Sequence, residues 1–188
     1  MSAGEADTTD AKAQEAKKPP RRRMEFFSME SATPVPDEMM PREGVDESVL
    51  AGLAKFAAVG GREGVGEKTV LLFKEDREDG MSLLYAWFKS GYVLPRHSHS
   101  GDCLYVVVGG ELRIGARVLR KGDGMFIPGG HAYGYEAGPD GVEVLEFRNA
   151  THFNLLFRGN DPSHWTRVAE TFRDRSALWE QETPPSDR

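Results

Sequence analysis

Two histidines one residue apart, His97-Ser98-His99, form the densest grouping of chemistry-bearing side chains in this 188-residue chain. Alternate residues of an extended strand project to one face, so the pair can turn two imidazoles toward a single divalent ion. Such a site needs further donors. His131, in the stretch Pro128-Gly129-Gly130-His131-Ala132-Tyr133, would share an inward face with Tyr133 if the backbone there is extended, completing a three-histidine set. A turn after Pro128 would instead leave it a loop histidine. Tyr133 could offer a phenolate to a ferric ion. Cys103, the single cysteine, has two readings: a thiolate ligand or redox-active group beside the metal, or a small buried hydrophobe on a strand. Imidazoles suit iron, zinc, manganese, nickel and copper alike, so the ligands do not choose the ion. His152, after a strand, and His164, at a helix start, are expected outside the site.

The elements that must position these residues are short strands. Alternating or apolar runs at Lys68 to Lys74, Ser82 to Phe88, Leu104 to Val108, Glu111 to Ile114, Ala116 to Leu119, Gly124 to Ile127, Tyr133 to Ala137, Val142 to Arg148 and Phe153 to Phe157 are separated by glycine-rich turn signals such as Gly109-Gly110 and Gly138-Pro139-Asp140-Gly141. Many short, evenly spaced strands specify a sandwich or barrel. Tyr85, Trp87, Tyr105, Phe126 and Tyr135 are expected to line or cover it. If some face a cavity, they describe an apolar small-molecule pocket.

Around this body the pattern changes. Residues 1–25 hold almost nothing apolar larger than alanine and are expected to be a disordered tail. Residues 26–66 comprise an irregular, methionine- and proline-containing arm followed by a helix. Asp46-Glu47-Ser48 offers its N-cap, Val49, Leu50, Leu53, Phe56 and Ala57 its apolar stripe, and Gly60-Gly61 its stop. The barrel is expected over 67–158. A C-terminal helix over 159–180 has Asp161-Pro162 at its start and Trp165, Val168, Ala169 and Phe172 at helical spacing, and 181–188 reads as a frayed end.

A net charge of −6 argues against nucleic acid, because phosphate binding needs clustered cations; the one basic run, Lys17 to Arg23, falls in the tail. One cysteine forms no internal disulfide. The longest apolar stretch, Val49 to Val59, is too short and too interrupted to span a bilayer, and the N-terminus lacks the apolar run of a secretory signal. A cytoplasmic protein without a membrane partner is the expectation.

The histidine region resembles the cupin family, whose first motif runs Gly, five residues, His-x-His, three or four residues, Glu, six residues, Gly. Gly91, His97, His99 and Gly110 fall on that spacing, with Cys103 at the Glu position. Gly122, Pro128 and Gly130 fit the second motif, with Tyr133 at its His and Ala137 at its Asn. The resemblance covers roughly 68–157. It implies an all-β fold: a single antiparallel cupin barrel, or jelly roll, with short flanking helices. It also implies a divalent metal held by His97 and His99, Fe(II) favoured with zinc, manganese, nickel and copper open; His131 is added as third ligand on the parity reading alone, with Tyr133 and Cys103 beside the site.

Cupin thiol dioxygenases use three histidines and often carry Cys near the Glu position, so the leading expectation is an iron oxidoreductase of the dioxygenase type acting on a small organic molecule. A non-catalytic small-molecule-binding cupin with a degenerate metal site, or a metal-assisted isomerase or lyase, stands beside it. Homodimers are common in the family, which implies a second copy as partner, with the arm's apolar residues contributing.

Overall fold

The computed structural model describes residues 23–158 and 161–187, so most of the expected tail and its basic run lie outside the described residues. Ten strands follow in chain order: β1 (Thr33–Pro34), β2 (Arg42–Glu43), β3 (Glu67–Lys74), β4 (Ser82–Phe88), β5 (His97–Ser98), β6 (Cys103–Ile114), β7 (Arg117–Arg120), β8 (Gly124–Ile127), β9 (Glu136–Arg148) and β10 (Leu155–Phe157). Helix α1 (Glu47–Ala58) precedes β3, and α2 (Pro162–Trp179) follows β10. The larger sheet is ordered β1-β3-β4-β9-β6-β7, with β8 also paired to β6; the smaller is β2-β10-β5.

Both helices begin where cap chemistry places them. The Asp46 and Asp161 carboxylates accept hydrogen bonds from the amides of Val49 and His164, each satisfying a donor of the first turn. The sequence expected two strands on either side of Gly109-Gly110 and two on either side of Gly138 to Gly141. Instead β6 and β9 each run unbroken across their glycines, and the ladder between them shifts register between Val107 and Gly109 and again between Gly110 and Leu112. Gly110 has φ +69°. The glycines therefore absorb bulges within a paired ladder rather than ending it. Strands β1, β2 and β5, two residues each, carried no recognisable alternation.

Parity along the ladders fixes what faces inward. Leu84, Ala86 and Phe88 of β4 stand opposite Glu146, Val144 and Val142 of β9, and Cys103, Tyr105 and Val107 of β6 oppose Arg148, Glu146 and Val144. The core on this face includes Leu112, Ile127, Tyr133, Tyr135 and Ala137. Tyr105 and Tyr135 are thus interior, as expected, whereas Tyr85 and Trp87 are buried on the opposite face of β4 and Phe126 is 60% exposed. The stretch read as a frayed end meets the large sheet at Ser186. Glu143 accepts hydrogen bonds from the Ser186 amide and hydroxyl and from the Tyr85 hydroxyl.

Helix α2 is tied to the start of the histidine segment. Ser90 receives Trp179 Nε1–H on its carbonyl at 2.9 Å and Arg175 Nη1–H on its hydroxyl, and its own amide donates to Glu182. Gly91 follows with φ +64°, where a Cβ would meet the Arg175 side chain.

Candidate functional site

His97 opens the short β5 and His99 follows directly after it; they are 5% and 7% exposed. Each has committed its Nδ1 to a main-chain carbonyl: His97 to Pro95 O at 2.7 Å and His99 to Asn154 O at 2.6 Å. That arrangement puts the proton on Nδ1 and leaves Nε2 as a bare lone pair. Both residues line the main cavity. Burial holds both rings neutral. The His97 value is depressed chiefly by desolvation, and that of His99 is brought down to about 2 by desolvation, then by Arg148 and by His97.

Two imidazoles bound cis to one ion, through nitrogens about 2.1 Å from it, have ring centres roughly 4.5 Å apart. The His97 and His99 rings are centred 4.9 Å apart at 76°, close to that spacing.

The third histidine does not join them. Gly130, at φ +76°, turns the chain, the His131 amide donates to Pro128 O at 3.1 Å, and His131 ends exposed. The expectation of an extended segment here, and with it the three-histidine site, is corrected by that turn. Among the described residues no group of three His, Cys, Asp or Glu is arranged to hold a metal ion. His152 is exposed and His164 sits in α2, as expected.

Tyr133 and Cys103 are both interior, but neither lines the cavity. Tyr133 pairs with His97 through reciprocal main-chain hydrogen bonds of 2.9 Å, its ring centred 4.6 Å from that of His97. Its hydroxyl bonds that of Tyr105 at 2.9 Å. Burial raises the Tyr133 phenol above its ordinary value, and burial followed by Glu146 pushes the Cys103 thiol up to about 12. Each is a protonated, neutral group rather than a ready phenolate or thiolate.

Two interior residues, Glu146 and Arg148, had not been singled out from the sequence. Glu146 lines the cavity beside the histidines, together with Tyr105, one of the aromatics expected to line or cover the barrel. Arg148, opposite Cys103, donates from Nη2 to Glu146 Oε2 at 2.6 Å and lays its guanidinium 4.3 Å from the centre of the Phe153 ring. The signal was parity: in Val142 to Arg148, positions 142, 144, 146 and 148 share one face, so two charged residues continue an apolar inward row.

The residues on the two motif spacings thus converge. His97, His99, Cys103 and Tyr133 are all buried in one antiparallel β interior, and Gly91, Gly110, Gly122 and Gly130 all stand at positive φ where the chain turns or bulges. The fold is that of a cupin. No known family profile matches the chain, and no curated protein matches it. Among solved structures the cupin barrel is similar to KdgF from Halomonas sp. (19% identity, TM-score 0.43, covering 48% of this chain and 85% of that one). It is also similar to an RmlC-like cupin from Shewanella frigidimarina (25%, 0.40, covering 46% and 78%). A third likeness is to oxalate decarboxylase from Bacillus subtilis (15%, 0.41), where the match covers 46% of this chain and 25% of the decarboxylase.

Proposed function

We propose that this chain is a metal-binding cupin that acts on a small organic molecule, with His97 and His99 as the protein's ligands to a divalent ion. The observation that carries the reading is the pair of neutral imidazoles whose Nδ1 protons are spent on Pro95 O and Asn154 O while both residues line the cavity. A cavity histidine tied in this way is set up as an electron-pair donor and poorly set up as an acid.

An ion held by two imidazoles supplies Lewis acidity, and if it is iron also one-electron chemistry, with coordination positions left for ligands from outside the chain. The protein's own contribution is to hold the imidazoles in one tautomer and to exclude bulk water. Tyr105, its hydroxyl oriented by Tyr133, can exchange a hydrogen bond with a ligand. Arg148, behind Glu146, neutralises the carboxylate that Glu146 presents to the cavity. Fe(II) and the dioxygenase assignment are the finer form of the proposal. They are tested by oxygen uptake on a panel of small thiols, phenols and amines with the iron-reconstituted protein; uptake that is absent in His97→Ala supports them, and turnover that persists without oxygen assigns an isomerase or lyase instead.

A second reading, a binding cupin without turnover, is favoured by one specific observation: neutral Cys103 and Tyr133 stand where the family carries a carboxylate and an imidazole. It predicts a saturable ligand and no consumption of it under any metal.

A further inference from the structure

The cavity holding His97, His99, Tyr105 and Glu146 measures about 360 Å³, within the range that encloses a small ligand. Half of its lining residues lie outside the barrel. The arm contributes Val35 and Met40, α1 contributes Leu53 and Phe56, and α2 contributes Val168 and Phe172. These helices are held together as one roof: Phe56 and Phe172 meet edge to face with centroids 4.8 Å apart, and Gly52 lets the two helices approach so closely that a Cβ there would collide with the Trp165 ring. Hydrogen bonds at Ser90 anchor α2 to the barrel. The space therefore has two unlike ends, polar inside the barrel and hydrocarbon beneath the helices.

The lining charges that remain after pairing are acidic. Glu63 is paired with Arg42 and Glu146 with Arg148, which leaves Asp37 and Glu67 as the other lining carboxylates. An anionic tail would meet repulsion and the cost of desolvation together, whereas an uncharged or cationic one would not.

We infer that the ligand of this barrel is amphiphilic, with a polar head against His97, His99 and Tyr105 and an aliphatic or aromatic tail, uncharged or cationic, seated between the arm, α1 and α2. The position of the head rests on the metal-site reading above; the tail site stands on its own walls.

The test uses the full chain and the neutral fluorophore N-phenyl-1-naphthylamine, with metal content measured on the same samples. Saturable fluorescence enhancement is expected, weakened about tenfold or more by Leu53→Trp and by Val168→Trp, which fill the tail space. Arg117→Ala, on exposed β7 away from the cavity, should leave probe binding unchanged. Displacement by n-alkylamines should tighten roughly fourfold per added methylene until the space is full, with octan-1-ol and octylamine displacing more strongly than octanoate. No binding to the folded protein, indifference to both tryptophan variants, or preference for octanoate would overturn the inference. Should the variants fail to fold, the chain-length series decides: affinity independent of chain length overturns it. Probe binding without metal would remove the metal reading and leave the tail site, and metal without probe binding would do the reverse.

Discussion

Glu146 and Arg148 form an ion pair of 2.6 Å inside the barrel, their side chains 8% and 1% exposed. Neither charge has bulk water to fall back on, so removing one partner strands the other. Arg148→Met and Glu146→Leu should each lower stability by about 3–5 kcal/mol, and the double variant should recover most of that loss because it strands nothing. Urea denaturation of the three variants checks this. Additive losses in the double variant would show that the pair is not mutually dependent.

The histidines give the metal-free protein a pH dependence of definite sign. Both have folded values below the unfolded one, so the unfolded chain takes up protons first as the pH falls. Their contribution is intact above about pH 6.5 and is lost below it, at up to about 1.4 kcal/mol per pH unit for each ring. For His99 the loss continues toward pH 2. Stability of chelator-treated protein between pH 7 and 5 should fall more steeply than that of His99→Asn; equal slopes would contradict a desolvated, neutral His99.

Gly110 carries the bulge that keeps β6 continuous. Its φ is +69° and an added Cβ would lie 2.1 Å from Gly141 O, so Gly110→Ala should cost about 2–3 kcal/mol. Gly115, at φ +56° with open space around it, should lose only about 1 kcal/mol on the same change. Thermal melts of the two variants separate collision from conformational cost.

How far the sequence could be read follows from where its signals are local. The caps at Asp46 and Asp161, the strand Ser82 to Phe88 and the His97/His99 parity are local patterns, and each appears where expected. The position of His131 depended on whether Gly129-Gly130 turned, which glycine leaves open until tertiary contacts decide it. The continuity of β6 and β9 through their glycines depended on pairing with each other, a long-range contact. Glu146 and Arg148 were legible from parity, but strand polarity alone does not tell which face is inside, and charged residues are ordinarily assigned outward.

The apolar outer face of the large sheet bears on the expected dimer. Leu104, Phe126 and Phe147, 53%, 60% and 43% exposed, are direct cross-strand neighbours, and such a contiguous patch invites a partner. Light scattering should give twice the chain mass for the wild type and a single chain mass for Phe126→Lys. A monomeric wild type would show that the patch is not a dimer interface.

Metal held by the histidine pair is checked without intermediaries by the metal content of untagged protein after anaerobic reconstitution, measured by mass spectrometry on the wild type, His97→Ala, His99→Ala and His131→Ala. A near-stoichiometric ion is expected in the wild type and in His131→Ala, with its loss from the other two. No retained metal in the wild type with any divalent ion, or loss in His131→Ala comparable to that in His97→Ala, would contradict a two-histidine metal site.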